Sequence, residues 1–432
     1  MNLSACVLTL GCRVNQYESD YIMQCLSKRG VKICSFDEKC DVYIINTCSV
    51  TSESDRKSKQ FIRKCKKKNP EAMIIVSGCF SQINPQKASE IDGVTYVVGN
   101  NCKSKISDLV LALYEKKSLP VCDFDIYNGV FDTMKVGAPL TRTRAFVKIE
   151  DGCDSKCAYC IIPYARGSVR SNKMENVIDE VNAIVKDGCY EVVLTGIETA
   201  SYGKDFKDGT NLSTLLCEVN KTEELRRIRL GSLDPFNVTK SFVDSIKNLE
   251  KVMPHFHISM QSGCTKTLNA MKRKYNVETA RERIEYLKAN FKNVMLSADI
   301  IVGFPGESDE DFEKTYEFLK STEFLHLHIF PYSKREGTPA ATMPNQIPED
   351  VKKARLHKLE EMQKETKKRL LEKFVQENEE IEVLFESYDG EYALGHTPNF
   401  IELKAKSNTP LGGQFKTVRV LKTDGVYIYG EI

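Results

Sequence analysis

Gly152-Cys153-Asp154-Ser155-Lys156-Cys157-Ala158-Tyr159-Cys160 lies just after the apolar run 145–149, and its thiols are spaced C-x3-C-x2-C. A 4Fe–4S cluster has four corners, each ordinarily held by a thiolate. Cys153, Cys157 and Cys160 would therefore hold three irons and leave the fourth open. An open iron can chelate the amino and carboxylate groups of S-adenosylmethionine. An electron delivered there cleaves the sulfonium bond and gives a 5′-deoxyadenosyl radical, chemistry that belongs to the cofactor rather than to side chains. The alternatives are a zinc site with a distant fourth ligand, or three thiols with no shared role. Zinc prefers closed sets of two pairs, and no matching second pair follows.

Outward from this loop, residues 140–340 hold six strand-like runs, at 145–149, 191–194, 227–230, 255–260, 294–302 and 325–330. Helical patterns, including 177–186 and 277–289, separate them. Six βα units predict an open, partial (βα)6 barrel within an α/β fold. Each run ends in polar or glycine-rich residues, among them Thr195-Gly196-Ile197-Glu198, Gly231-Ser232 and Gly303-Phe304-Pro305-Gly306. Barrel chemistry resides on that carboxyl-terminal rim.

Upstream, residues 1–135 repeat a single pattern three times: an apolar run, a short loop carrying Cys, then a helix. The loops contain Gly11-Cys12, Asn46-Thr47-Cys48 and Ser77-Gly78-Cys79. Parallel strands point their carboxyl ends the same way, so Cys12, Cys48 and Cys79 are expected to meet at one sheet edge, where open α/β sheets place their ligands. Ordinary buried thiols are the alternative. Downstream, residues 349–376 read as a charged helical connector, with nine basic and four acidic residues between Val351 and Lys373. Residues 378–432 show short strand-like runs with turn signals at Gly412-Gly413 and Asp424-Gly425, which suit a small antiparallel β-barrel. Such barrels are frequent oligonucleotide binders, and Lys404, Lys406, Lys416, Arg419 and Lys422 supply positive charge. A structural cap is the alternative.

Composition narrows the classes. The 432 residues carry a net charge of only +2, so no global basic field advertises a nucleic acid. Locally, Asp55 to Lys68 contains eight basic residues and one acid, enough to neutralise phosphates or to form a solvated helix face. No stretch approaches the ~20 apolar residues of a membrane span, and the N-terminus lacks a secretory pattern. A cytoplasmic protein without a membrane role is expected. In a reducing compartment sixteen cysteines point to metal ligation or catalysis rather than disulfides. Cys25, Cys65 and Cys217 fall in helical patterns and are expected to be small buried hydrophobes.

Taken in order, these blocks resemble the methylthiotransferase family of radical S-adenosylmethionine enzymes over nearly the whole chain. Thr9-Leu10-Gly11-Cys12-Arg13-Val14-Asn15 is most similar to the bacterial branch acting on N6-threonylcarbamoyladenosine beside the tRNA anticodon. Gln261-Ser262-Gly263-Cys264 and Asp299-Ile300-Ile301-Val302-Gly303-Phe304-Pro305-Gly306-Glu307 match further family blocks. The resemblance implies an N-terminal methylthiotransferase domain, a radical barrel and a C-terminal TRAM domain. It implies an auxiliary 4Fe–4S cluster on Cys12, Cys48 and Cys79, and the radical cluster on Cys153, Cys157 and Cys160. S-adenosylmethionine would serve as both methyl donor and radical source, with no side chain as the chemical nucleophile. Gly196 and Glu198 would approach the cofactor's amino group, Ser232 its ribose, and Gly303 to Gly306 its adenine. The branch usually carries His or Asn where this chain has Glu198. Partners implied are tRNA, an electron-donor protein and a sulfur source. Sister branches act on isopentenyladenosine in tRNA or on an aspartate of a ribosomal protein, and the Leu-Gly-Cys-Arg-Val-Asn opening separates this chain from both. A non-catalytic RNA-binding protein stapled by iron–sulfur centres is the alternative from another class.

Overall fold

A computed structural model describes residues 3–119, 122, 124–127, 129–139 and 142–432. The N-terminal sheet has five parallel strands: β1 (Ser4–Thr9), β2 (Lys32–Ile33), β3 (Val42–Thr47), β4 (Met73–Gly78) and β5 (Tyr96–Val97), ordered β2-β1-β3-β4-β5. Every residue of β3 is buried, as a central parallel strand covered on both faces requires. Alternate residues serve opposite faces. Ile44 and Ile75 pack with Ile22, Leu26 and Leu109, whereas Tyr43, Ile45 and Ile74 pack with Ile62 and Cys65 of the helix Ser52–Lys68.

The central barrel begins with β6 (Ala145–Lys148) and a two-residue ribbon, β7 (Glu150–Asp151) against β8 (Arg170–Ser171). Parallel strands β9 (Glu191–Thr195), β10 (Arg227–Leu230), β11 (Ser232–Leu233), β12 (His255–Gln261), β13 (Met295–Val302) and β14 (His326–Pro331) follow. The third expected strand, 227–230, is β10 and pairs with β9; beyond Gly231 a further two-residue strand, β11, pairs instead with β12. The wall therefore consists of two sheets, β10-β9-β6 and β11-β12-β13-β14, hinged at one glycine. A Cβ at Gly231 would stand 2.5 Å from the Thr199 hydroxyl, which accounts for the small residue there.

The helix Glu349–Glu377 leads into a closed barrel of β15 (Glu380–Tyr388), β16 (Tyr392–His396), β17 (Glu402–Lys406), β18 (Phe415–Thr423) and β19 (Ile428–Glu431), ordered β15-β16-β17-β19-β18. Arginines of β10 seat this barrel on the central one. Arg229 donates to the carbonyls of Pro398 at 2.9 Å and Thr397 at 3.0 Å, and Arg227 to the carbonyl of His396 at 3.0 Å. Among the described residues, no helix is long and apolar enough to cross a membrane. Cys65 is fully buried as expected, but Cys25 and Cys217 are only half-buried, because both lie toward the rims of their helices' apolar faces.

Candidate functional site

At the carboxyl edge of the N-terminal sheet, Cys12 and Cys48 lie in the loops after β1 and β3, and Cys79 opens the short helix Cys79–Ile83 directly after β4. The loops are tied together by amides. Asn15 Nδ2 donates to the carbonyls of Leu10 at 2.8 Å and Thr47 at 2.9 Å, and Asn46 Nδ2 to that of Asn15 at 2.8 Å. Gly11 sits against Cys48, whose Sγ would lie 2.7 Å from an added Cβ. Gly78 has φ +99° and leaves no room for a side chain beside the Thr47 carbonyl. Burial, reinforced by Cys79 and Cys12, pushes the Cys48 thiol up to about 12. Burial also raises the Cys12 thiol, against the pull of Arg166. The three thiols thus lie near enough to influence one another's ionisation.

The second triad occupies the loop after β7. Gly152 (φ +87°) turns the chain under the Ser168 carbonyl, and Cys153 N donates to the Gly167 carbonyl at 2.9 Å. Sulfur accepts hydrogen bonds here: Ser155 N to Cys153 Sγ at 3.4 Å, and Arg273 Nη1 to Cys157 Sγ at 3.2 Å. Arg273 is itself fixed by Asp234 at 2.8 Å and the Ser259 carbonyl at 3.0 Å. Burial, with Cys157 and Cys153 adding to it, pushes the Cys160 thiol up to about 12. A buried neutral thiol of this kind gives up its proton to a metal rather than to water.

Between the triads runs a fully buried ionic network, for which the sequence carries no local signal. Glu18 accepts from Arg166 at 2.6 Å, from Lys148 at 3.3 Å and from Lys103. Asp151 accepts from Lys148 at 3.0 Å and Arg166 at 3.1 Å. Burial pushes the Glu18 carboxyl up, but Arg166, Lys103 and Lys148 outweigh it and hold it well below the ordinary carboxylate range. Asp151 is likewise brought down to about 2 against burial, chiefly by Arg166 and Lys148. Arg166, Lys148, Lys103 and, 3.9 Å from Asp151, Arg170 meet these two carboxylates, and Cys79 interacts with both Arg166 and Lys103. Of these cations, Arg166 works against the burial that raises Cys12.

A cavity of about 1320 Å³ joins the sheet edge to the barrel. Gly11, Cys12, Arg13 and Cys48 form one wall; Gly196, Ser232, His257, Asp299 and His328 form the other. Of the cofactor contacts expected from sequence, Gly196 and Ser232 therefore reach it. Glu198, Gly303 and Gly306 stand outside its wall. Glu198 accepts from Asp234 N at 3.2 Å and donates its own N–H to Glu150 at 3.0 Å, while burial and then Asp234 raise its carboxyl to about 7. The Gly303 N–H is held by Glu307 at 2.6 Å, and a Cβ there would meet the Lys352 side chain at 2.3 Å. Lys352 itself lines the cavity.

The cavity also gathers residues not anticipated from sequence. His257 Nε2 lies 3.0 Å from Asp299, its Nδ1 lies 2.8 Å from the Ser297 hydroxyl, and the ligand atoms of His257, Asp299 and His328 fall within 4.8 Å of one another. Strand register explains this, since Ser297 pairs with both His257 and His326, and Asp299 with His328. The alternation His255/His257 and His326/His328 was a visible signal, two residues apart on each of two strands.

Around the mouth lies the helix Ser52–Lys68, with Arg56, Lys57, Arg63, Lys64 and Lys67 exposed and Lys57 lining the cavity. On the C-terminal barrel Lys404 sits 4.4 Å from the Tyr427 ring centre, Lys422 lies 5.9 Å from that of Tyr429, and Tyr392 packs edge-on to Tyr429. Cations interleaved with aromatic rings suit single-stranded nucleic acid.

Residues 4–99 match the uncharacterized protein family UPF0004, and residues 147–319 match the radical SAM superfamily. The chain is 38% identical to the threonylcarbamoyladenosine tRNA methylthiotransferase MtaB of Bacillus subtilis, over 98% of this chain and 95% of that one. It is 38% identical to the protein of the same description from Aquifex aeolicus, over 96% and 98% of the two chains. The tRNA-2-methylthio-N(6)-dimethylallyladenosine synthase of Clostridium novyi is 34% identical, over 99% and 96%. Among solved structures, the radical S-adenosylmethionine methyltransferase TsrM of Kitasatospora setae superimposes with a TM-score of 0.60 at 13% identity, covering 79% of this chain and 77% of that one. That likeness concerns the fold alone.

Proposed function

The chain belongs to the radical S-adenosylmethionine tRNA methylthiotransferases, and from that premise we propose that it converts N6-threonylcarbamoyladenosine next to the tRNA anticodon to its 2-methylthio derivative. The observation that carries this reading is the cavity, which has Cys12 and Cys48 on one wall and the barrel's Gly196 and Ser232 on the other. A base held there would lie between a sulfur-presenting edge and a radical-generating rim.

Cys12, Cys48 and Cys79 would hold one 4Fe–4S cluster, and Cys153, Cys157 and Cys160 the other. Three thiols in neighbouring positions at each site, with N–H donors on Cys48, Cys153 and Cys157 and cations beside Cys79, support that donor set. When bound, these groups supply the electron that cleaves S-adenosylmethionine and the sulfur that is transferred. The protein's own contribution is placement. Arg273 positions the Cys157 loop by bracing it against Asp234 and β12. The network of Glu18, Arg166, Lys103, Lys148 and Asp151 locks the N-terminal sheet to the barrel and provides counter-charge. Gly196 and Ser232, which line the cavity, would border the cofactor. The exposed cations of the helix Ser52–Lys68 and the ring-and-lysine face of the C-terminal barrel would track the RNA backbone. An electron-donor protein and a sulfur source complete the reaction.

Reconstituted protein should bind about eight irons per chain, and about four after replacement of either triad by alanine. Incubated with S-adenosylmethionine, a reductant and anticodon stem–loops, it should methylthiolate the threonylcarbamoyl form. Transfer only to the isopentenyl form would move the chain to the sister branch. Full iron loading without 5′-deoxyadenosine formation would identify a non-catalytic RNA-binding protein.

A further inference from the structure

Arg13, adjacent to Cys12, lines the cavity and is exposed to it. Among the described residues it makes no hydrogen bond and no ion pair, whereas the arginines buried nearby are all engaged: Arg144 by Glu191 and Glu386, Arg166 by Glu18 and Asp151, Arg273 by Asp234. The charges around it do not satisfy it. Arg144 repels it, and Asp299, which attracts it, is already taken at 3.0 Å by His257. A cation without a partner on a cavity wall is free to receive an anion, and a planar guanidinium matches a carboxylate two-to-two.

We propose that Arg13 is the residue that reads the α-carboxylate of the threonylcarbamoyl group, and so sets the choice between carboxylate-bearing and uncharged N6 substituents. The inference rests on the substrate proposed above and deepens it. Its geometry is consistent with that substrate. In a carbamoyl-linked amino acid the ureido N–H can close a hydrogen-bonded ring onto ring nitrogen 1, which carries the amino acid to the edge of the purine that holds carbon 2. Carbon 2 must face the sulfur-presenting edge, so the carboxylate would fall beside Cys12, where Arg13 stands. An isopentenyl group offers Arg13 no partner, and its binding would leave the guanidinium desolvated and unpaired, a penalty rather than an indifference.

The test is binding and turnover of anticodon stem–loops by the cluster-loaded protein. One RNA carries N6-threonylcarbamoyladenosine, and the other carries the same group with its carboxylate converted to the amide. Wild type should bind the acid more tightly by about tenfold to a hundredfold, the range of a charge-assisted hydrogen-bonded pair. Arg13→Gln should lose that discrimination through the acid, binding both RNAs at the level wild type shows for the amide. Arg13→Lys should restore part of it. Iron content and the visible spectrum of each variant establish that the fold and clusters persist, and the ratio of two affinities on one protein is insensitive to partial loading. Equal affinity of wild type for the two RNAs, with the acid turned over, would overturn the role of Arg13 and leave the proposed reaction standing. Undiminished discrimination by Arg13→Gln would do the same. No turnover of the acid by wild type, alongside turnover of the isopentenyl RNA, would remove the substrate reading itself and the inference with it.

Discussion

Replacing Glu18 by Gln should destabilise the protein by about 3–5 kcal/mol at pH 7, and by less at pH 9. The side chain is fully buried and takes donors from Arg166, Lys148 and Lys103. Hydrogen bonds to a charged group each contribute about 1.5–3 kcal/mol, but three on one carboxylate do not add. Gln is nearly the same shape and still accepts from one donor. The remaining deficit is that of breaking a buried pair, about 3–5 kcal/mol, since Arg166, Lys148 and Lys103 lose the carboxylate they share. One relief is available. Burial already holds the Lys103 ammonium below its ordinary pKa even with Glu18 present. Without Glu18 it falls further, and Lys103 can shed its proton. A lysine whose folded pKa lies below its unfolded value of about 10.4 makes the unfolded chain the stronger proton binder between the two values. Stability therefore rises with pH across that window, by at most about 1.4 kcal/mol per unit, and the Gln variant recovers relative to wild type. Urea unfolding followed by circular dichroism and tyrosine fluorescence, the chain having no tryptophan, would measure both deficits. A deficit below about 1 kcal/mol at pH 7, or one unchanged at pH 9, would refute the reasoning.

Glu180 is buried, accepts from the Tyr17 hydroxyl and Val136 N at 2.9 Å each, and is raised by burial to about 8. Its contribution is fully present below about pH 4.5 and is lost as pH rises toward 8, at up to about 1.4 kcal/mol per unit; Glu180→Gln should flatten that part of the stability profile, and an unchanged slope would contradict the burial argument. Cys157→Ala should abolish 5′-deoxyadenosine formation, whereas Cys48→Ala should spare much of it while abolishing methylthiolated product. Chromatography of both products checks this, and equal loss of both in Cys48→Ala would undercut two separate roles. Gly78→Ala, forced into φ +99° against the Thr47 carbonyl, should cost about 1–3 kcal/mol and displace Cys79, read as lower iron content. Lys404→Ala and Lys422→Ala should each lower the salt dependence of tRNA binding by about one unit of slope, with no change in base preference.

The parts of the fold legible in the sequence were those whose physics is local. Central parallel strands read as unbroken apolar runs because both faces are covered, so the runs at 42–45 and 73–76 fall within β3 and β4, whereas 227–230 and 255–260, in β10 and β12, interleave apolar residues with Arg or His. The sheet's edge strands β2 and β5 are two residues long and gave no such run. Nor did β16 and β17, where Tyr-Ala-Leu-Gly-His and Glu-Leu-Lys-Ala-Lys alternate in burial, the weaker period-two signature of a small barrel. The break at Gly231 is invisible locally, since it depends on Thr199 packing from another loop. The placement of Cys12, Cys48 and Cys79 at one sheet edge was legible because strand ends in parallel sheets converge by topology, whereas Cys153, Cys157 and Cys160 share a single loop. Glu18 and Arg166 lie 148 positions apart, and nothing in either neighbourhood announces the other. Arg13 was visible only as one letter of a motif; its lack of a partner is a property of the folded cavity.

The most direct test of the central claim is mass spectrometry of tRNA nucleosides from a host lacking the endogenous activity, with and without this protein. The account predicts a new 2-methylthio form of N6-threonylcarbamoyladenosine, absent when Cys48 or Cys157 is replaced by alanine. An unchanged nucleoside profile in cells whose protein carries both clusters would contradict it.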